Sequence, residues 1–374
     1  MLEKRFGLQA ARSVHEAMHE AVDEVGRVIA TEGIDAQYLK GGKLLLARGI
    51  HQLPAVRSYY TTLQRQGVAD QYQWLDGPQV AERIRVAGAV AGVYDTQCAV
   101  IHPGKLVRGL AHAVERLGGQ LFEHTTVTDV VPGGAPRLKT SSGEVRANTL
   151  VLAGEAYLAQ LPIVRRRLIP IYSLIVLTEP LSAAQWEEIG WQGHECVSSS
   201  RYTVDYLSRT ADGRILFGGR GAPYHMGSRI ADTYDRHAPT HAMLRQMLAQ
   251  WFPRLQGIGF SHAWGGPLGM PRDWMPTMSY DRATGIATAR GYTGQGVSTT
   301  NLSGRVLTDL ILDVDSPLTT LPMVNHQQRS WEPEPLRWLG VRYVQRGMMA
   351  VDDKAERTGR PPTGRTLPEL LGRH

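Results

Sequence analysis

The sequence predicts a mixed α/β (α+β) fold in which two kinds of unit alternate along the chain. Residues 285–312 have the pattern of a strand, a glycine-rich loop and an amphipathic helix, and residues 103–154 that of a helix flanked by strands. Residues 165–235 show the short strands and tight turns of an antiparallel sheet. We therefore expect a helix-covered, mostly parallel sheet and a separate antiparallel sheet, interleaved in sequence.

Composition and charge narrow the class of protein. The 374 residues, 42% of them hydrophobic and 20% charged, suffice for a sizeable core and two domains. No apolar run of about 18 residues predicts a membrane-spanning helix. The formal charge is +6, but the basic residues are scattered and no Lys/Arg run is interleaved with aromatics, so nucleic-acid binding is not expected.

Two further features bear on the compartment. The first residues are not followed by the apolar segment of a secretory signal, so a cytoplasmic location is expected. Cys98 and Cys196 lack metal-ligand spacing and are expected to be buried free thiols.

The first predicted element is a long helix over residues 8–33. It contains His15-Glu-Ala-Met-His19, which fits the H-E-x-x-H pattern of zinc hydrolases. At about 100° per residue, His15 lies at the shoulder of the apolar stripe and His19 faces away from it. With no third ligand evident downstream, a polar helix face is expected, and zinc hydrolysis remains a distant alternative.

Strand and helix patterns continue through residues 34–154. Residues 34–100 begin with strand texture and a break at Gly41 and Gly42, and the apolar strand at 149–154 is typical of a buried sheet. The predicted elements are helices over 52–66, 76–84 and 103–119, strands over 37–47, 91–94, 120–123, 126–131 and 149–154, and a hairpin turn at Ser142 and Gly143.

A glycine-rich loop, residues 219–227, interrupts the antiparallel segment. It gathers Arg220, Tyr224 and His225, which such a loop is able to place over a flat ligand, although solvent exposure is the alternative explanation. The elements predicted around it are strands over 168–178, 202–209, 214–218 and 258–263 and a helix over 241–252.

The most informative segment of the sequence is Gly291 to Leu312. Gly291, Gly294 and Gly296 permit unusual dihedrals and close approach of a ligand, and the free N–H groups of the following helix favour an anion or an electron-rich ring. A flat cofactor fits this pattern. A helix entry that needs glycine for packing is the alternative.

The motif around this stretch resembles that of FAD-dependent amine and amino-acid oxidoreductases, the family of D-amino-acid oxidase, glycine oxidase, sarcosine oxidase and gamma-glutamylputrescine oxidase. The resemblance continues back to about residue 36. The residues that carry it are Trp264, Gly266, Asp273, Pro276, Gly291, Gly296, Gly304 and Asp309-Leu-Ile311.

The resemblance implies an incomplete FAD-binding Rossmann-like domain and an antiparallel-sheet substrate domain. The implied segments are FAD-domain parts at 1–33, 101–164 and 276–320, substrate-domain parts at 34–100 and 165–275, and a partly disordered C-terminal extension at 321–374. Cofactor contacts are expected at Val127, Ala153, Gly154, Gly291, Tyr292, Gly294, Gln295, Gly296 and Val297. Substrate-side candidates are Arg220, Tyr224, His225, Trp264 and Asp273, and no metal ligands are expected.

One family element is missing from the sequence. Members begin with a strand, G-x-G-x-x-G and a helix, whose N-terminus receives the FAD pyrophosphate. No such motif occurs in the first hundred residues. We therefore expect a late-started chain that binds FAD weakly or not at all as written.

The resemblance also implies the chemistry, in which a neutral amine gives a hydride to flavin N5 and O₂ or another acceptor reoxidises the flavin. No cysteine lies near the motif, so non-covalent FAD is expected. The positions of the family's carboxylate-binding arginines are Leu268 and Gly294 here. Unless Arg220 or Arg272 substitutes for them, an amine or modified polyamine is the expected substrate. A non-catalytic remnant or partner subunit is the alternative.

Overall fold

The computed structural model describes residues 2–255 and 257–372. The helices are α1 (Leu2–Thr31), α2 (Leu53–Gln66), α3 (Gly77–Arg83), α4 (Pro103–Arg116), α5 (Ala183–Ile189), α6 (Ala238–Trp251), α7 (Gly296–Leu312), α8 (Leu336–Thr358) and α9 (Leu367–Gly372). The strands are β1 (Lys43–Arg48), β2 (Tyr72–Asp76), β3 (Ala89–Asp95), β4 (Val127–Val131), β5 (Arg137–Thr140), β6 (Gly143–Arg146), β7 (Leu150–Leu152), β8 (Leu168–Thr178), β9 (Cys196–Ser199), β10 (Asp205–Arg209), β11 (Ile215–Arg220), β12 (Phe260–Pro271), β13 (Thr277–Asp281) and β14 (Ile286–Arg290).

The largest sheet has eight strands in the order β12-β8-β11-β10-β9-β1-β3-β2. Its pairs are antiparallel except β1 with β9. Strands from residues 43–95 and 168–271 thus share one sheet, which supports the predicted interleaving. A core of buried side chains, among them Trp191, Phe217 and Trp251, packs between this sheet and its helices.

The second sheet has the order β13-β14-β7. β7 and β14 are parallel, as their apolar sequences predict for a helix-covered sheet, and β13 forms an antiparallel hairpin with β14. The short β4-β5-β6 meander lies apart as a third sheet. The mixed α/β class is therefore confirmed, although the second sheet contains only this one parallel pair among the described strands.

The predicted first helix is confirmed as α1, which is interrupted by left-handed backbone at Gly7, where φ is 87°. α1 packs on α7 through a cluster that includes Val14, Ala21, Leu302 and Val306. None of the described helices has the length and apolar character needed to cross a membrane.

The histidine pair in α1 faces the large sheet. His19 Nε2 lies 3.2 Å from the Tyr72 hydroxyl and 4.0 Å from the Asp95 carboxylate. Within the described ranges, no cluster of three His, Cys, Asp or Glu side chains is arranged to hold a metal. His19 contributes to the packing of α1 against β2 and β3.

Two segments differ from the prediction. Residues 120–123 form no strand, since Leu121 and Phe122 are exposed and the backbone pairs with no described strand. The C-terminal extension, which the sequence predicts to be irregular, contains α8 and α9. Its partial disorder stays a prediction. The Glu369 carboxylate, which is fully buried, accepts hydrogen bonds from Gly364 and Thr366 backbone N–H groups and fixes α9.

Candidate functional site

The loop between β14 and α7 has the geometry expected of a ligand-facing turn. Positive φ angles occur at Gly291 (82°), Thr293 (56°) and Gly294 (108°). Gln295, the N-cap of α7, makes no side-chain capping hydrogen bond. The first N–H groups of α7 therefore lack a side-chain cap from this residue, and an electron-rich ligand is able to accept from them.

Glu155 holds this loop in place. Its two carboxylate oxygens accept hydrogen bonds from the Gly291 N–H at 2.9 Å and the Tyr292 N–H at 3.0 Å. Burial raises the pKa of the carboxyl, and the donated N–H bonds oppose that rise. Because β7 and β14 are parallel, Ala153 and Gly154 lie at the same sheet edge as the loop.

Sequence reasoning did not single out Glu155. A buried carboxylate looks like any surface carboxylate in sequence, because its partners are backbone groups 136 and 137 positions away. Its place directly after Gly154, at the end of an apolar strand, was the available signal.

Arg220 joins the loop to the large sheet. It ends β11 and its Nη2 donates to the Thr293 carbonyl at 3.3 Å, while its guanidinium carbon lies 5.3 Å from the ring centroid of Trp274. A Cβ placed on Gly294 would lie 4.0 Å from Arg220 Nη2 and 3.5 Å from Leu268 Cδ1. Burial lowers the pKa of this guanidinium. Arg220 therefore lies beside Gly294, one of the two positions where the resemblance places a carboxylate-binding arginine.

A cavity of about 390 Å³ extends from Arg220 between the large sheet and α8. Its charged or polar lining includes Arg220, Arg272, Glu332, Arg337 and Gln345. The apolar lining includes Ile169, Ile171, Met270, Val341, Val344 and Met348. This is a partly open, mostly apolar space of the size that small ligands occupy.

Two of the predicted substrate-side residues lie elsewhere. Tyr224 is 1% exposed, and its hydroxyl is within hydrogen-bond distance of Ser228 (3.0 Å) and Glu334 (3.1 Å). The ring of His225 stacks on that of Tyr234 with centroids 3.5 Å apart. Neither residue is among those that line the cavity around Arg220. The structure therefore brings only Arg220 of this predicted trio to the loop.

Trp264 lies within β12, and Asp273 follows the end of that strand. Trp264 pairs with Ile175 within the sheet and is 37% exposed, four positions along the strand from Leu268. The Asp273 carboxylate lies 2.6 Å from His326 Nε2 and accepts from Arg5 Nη2 at 3.4 Å. Burial opposes ionisation of Asp273, but the hydrogen bond and charge of His326 lower its pKa. These contacts favour a positioning role for Asp273.

Two of the remaining predicted cofactor positions lie at an open cleft, and Val127 does not. Val127 begins β4 and packs against the cluster that contains Leu150 and Leu152 of β7. Gly296 and Val297 line a cleft of about 1140 Å³ between α1, α4 and α7. The wall formed by α4 is apolar and uncovered, with Val107 62% exposed.

FAD fits one part of this arrangement. The Glu155-anchored loop and the N-terminus of α7 suit the electron-rich ring system. Residues 2–255 and 257–372 contain no strand, G-x-G-x-x-G turn and helix that would hold the pyrophosphate. The residues present therefore fit the flavin end of the cofactor, and a pyrophosphate-binding element is not among them.

Comparisons with known proteins agree with this geometry. A family model described as FAD dependent oxidoreductase matches residues 5–310. Gamma-glutamylputrescine oxidoreductase of Escherichia coli is 29% identical over 314 residues, which cover 83% of this chain and 70% of that protein. Sarcosine oxidase subunit beta of Rhodobacter capsulatus is 20% identical over 323 residues, which cover 83% of this chain and 72% of that protein.

A solved structure shows the same fold. Glycine oxidase from Bacillus cereus superposes with a TM-score of 0.69 at 18% identity, and the match covers 85% of each chain. Since the family model matches well over half of the residues, this chain belongs to the DAO family of FAD dependent oxidoreductases.

Proposed function

We propose that this protein oxidises the C–N bond of an amine or amino acid by hydride transfer to FAD held non-covalently at the loop before α7. The observation that carries the proposal is the contact of Arg220 with Thr293, which joins a mostly apolar cavity to the cofactor loop. The relatives support it, because their names describe oxidoreductases of gamma-glutamylputrescine and sarcosine.

The chain's own residues supply position and electrostatics. FAD held at the loop before α7 would supply the hydride acceptor, and O₂ or another acceptor would regenerate it. Glu155 fixes the loop backbone, and the apolar cavity walls exclude water from the substrate. A cation at Arg220 disfavours the ammonium form of a nearby amine, so it favours the neutral amine from which a hydride can leave.

We also propose that FAD binding needs a pyrophosphate-binding element in addition to the residues described. The test is the absorption spectrum of the purified protein, expressed from Met1 and again with the genomic sequence upstream restored, each after FAD is added. A flavin spectrum only in the extended form, with anaerobic bleaching by amines, is the expected result. Stoichiometric yellow cofactor in the shorter form would contradict this part of the proposal.

A second candidate is a partner subunit or remnant whose flavin site is completed by a separate chain. The uncovered cleft between α1, α4 and α7 favours it, and one relative is named as a subunit. Co-expression with a neighbouring reading frame that encodes a G-x-G-x-x-G unit should then yield a yellow complex. If neither form binds flavin without such a partner, this candidate replaces the first. The cytoplasmic location remains a prediction.

A further inference from the structure

We propose that the outer face of α8 and α9 binds the surface of an anionic phospholipid bilayer. This α8–α9 face consists of Leu336, Leu339, Tyr343, Leu367, Leu370 and Leu371 with the arginines around them. It lies outside residues 5–310, which the family model matches. The inference goes beyond the proposed function, because it concerns where the protein binds and not what it oxidises.

The apolar part of the face is a continuous stripe. Leu336, Leu339 and Tyr343 recur three and four residues apart, so they lie on one side of α8. Gly347 continues that side by one turn, and α9 packs there, since a Cβ on Gly347 would collide with the ring of Pro368. The leucines of α9 therefore extend the stripe that begins on α8.

The outer side of α8 is apolar but uncovered. The six apolar side chains of the face are exposed to fractions between 44% at Leu371 and 63% at Leu336. The inner side is apolar as well, since Val341, Val344 and Met348 line the cavity between α8 and the large sheet. A helix that is apolar on two sides is typical of one that is covered on both. The described residues cover only the inner side.

The charges around the stripe have one sign. Residues 336–351 contain no Asp or Glu, and the one carboxylate in residues 357–372, that of Glu369, is fully buried. The acidic residues between these segments pair with Arg201, and they are Asp352, Asp353 and Glu356. The exposed charge of the two segments is therefore entirely positive.

Most arginines of the two segments have no counterion. Arg337 pairs with Glu334 at 2.9 Å. The arginines that form no ion pair with any residue in the described ranges are Arg342, Arg346, Arg357, Arg360 and Arg365. Burial lowers the pKa of the Arg342 guanidinium, and repulsion from Arg346 adds to that effect. An anionic surface would relieve this repulsion.

The combination favours a bilayer over other partners. Leucine side chains enter the boundary between headgroups and acyl chains, tyrosine is enriched at that level, and arginine keeps its guanidinium at the phosphates. Anionic phospholipids thus present an apolar layer and negative charge to the same surface. Two copies of the face would instead bring arginines against arginines, which opposes self-association through it.

The face also adjoins the cavity. Leu336 and Leu371 are exposed and belong to the lining of the cavity between α8 and the large sheet. They therefore lie at its opening. A bilayer bound to the face would lie beside that opening.

The test measures vesicle binding by the purified full chain. Co-flotation with vesicles of phosphatidylglycerol mixed with phosphatidylcholine is compared with co-flotation with phosphatidylcholine alone. We expect a partition coefficient at least about 10-fold larger on the anionic vesicles, because each arginine near such a surface contributes about a 5-fold gain. High salt should remove most of this preference, since it screens exposed charges.

Paired variants localise the contact. Arg346→Gln with Arg365→Gln should weaken binding to anionic vesicles at least about 10-fold. Leu339→Ser with Leu370→Ser should weaken it by a similar factor, because both leucines are half exposed and would enter the bilayer. The matched control is Arg57→Gln with Leu117→Ser, which removes an arginine of α2 and the exposed leucine that ends α4. The control should change the partition coefficient less than about 3-fold.

Several results would overturn the inference. These are equal partition onto both kinds of vesicle, no binding to either, or a control that weakens binding as much as the face variants do. A dimer that both face variants dissociate, in a chain that binds no vesicles, would show that a second copy covers the face. If the leucine variant fails to fold, the arginine variant decides alone. None of these measurements depends on flavin binding, so they leave the proposed oxidation untouched.

Discussion

Replacing Glu155 with glutamine should release one end of the cofactor loop. Each carboxylate oxygen now accepts one backbone N–H, from Gly291 and from Tyr292. A glutamine amide offers only one oxygen and places its NH₂ against the other N–H group. A buried donor left without an acceptor costs about 2 kcal/mol, which corresponds to about a 30-fold change in a local opening equilibrium.

Amide hydrogen exchange measures this change directly. One of the two amides, at Gly291 or at Tyr292, should exchange about 30-fold faster in Glu155→Gln than in the parent protein. Global stability should fall less, because burial raises the pKa of Glu155 and the substitution removes a buried charge.

The control is Glu144→Gln, which neutralises an exposed carboxylate on the β6 hairpin that pairs with Arg137 and Arg146. It should leave the exchange of both loop amides unchanged. Unaltered exchange in Glu155→Gln as well would refute the reasoning, since it would mean that the loop is held without the carboxylate.

Three further predictions concern the surroundings of the site. Asp273→Asn should lower the free energy of unfolding at neutral pH, because His326 lowers the pKa of Asp273 in the folded protein. In the parent protein this stabilisation is lost as the pH falls through the lowered pKa, so the variant should lose less stability on acidification. Urea unfolding midpoints measured against pH check this. Gly291→Ala should lower the free energy of unfolding by about 2 kcal/mol, because φ is 82° and a Cβ would lie within 3.0 Å of neighbouring atoms. Gly304→Ala is the control, because a Cβ there has open space in a helix, and it should raise the free energy of unfolding by about 0.5–1 kcal/mol. Thermal unfolding measures both. Equimolar Zn²⁺ should leave the melting temperature unchanged because His19 is engaged in packing, and a rise that is lost in His19→Ala would revive the zinc alternative.

Local patterns in the sequence predict much of the fold. The run from Leu168 to Thr178 is a strand with those bounds, and the predicted helix from 52 to 66 begins one residue later, at Leu53. These elements follow from apolar periodicity and from turn residues that flank them. The predicted strand at 120–123 is wrong because its two apolar residues, Leu121 and Phe122, find no partner strand, and Phe122 remains 74% exposed.

Helix α8 shows why the cavity was not predicted. Val341, Val344 and Met348 recur at helical spacing, but the prolines before them and the Arg- and Pro-rich end of the chain suggest irregular structure. The cavity wall that α8 forms depends on where this helix lies against the large sheet, so no local pattern reveals it.

Some site residues are predictable from the local sequence, and others depend on tertiary contacts. The loop glycines follow from sequence, because positive φ angles at Gly291 and Gly294 need a residue without Cβ. The role of Arg220 depends on its neighbours, since an arginine after two glycines is equally compatible with solvent exposure. Only the fold shows that it points toward Thr293 and lacks a carboxylate within the described ranges.

The two halves of the site are physically separable. The proposed substrate half is lined by residues of the large sheet and α8. The cofactor half has its loop fixed by Glu155 but borders an open cleft of about 1140 Å³. Because the cavity does not depend on the cleft for its walls, ligand binding in the cavity should be measurable before any flavin is bound. The protein should discriminate between ligands without FAD and gain a flavin spectrum only when a pyrophosphate-binding element fills the cleft. That result would show that ligand binding and redox chemistry depend on different parts of the structure.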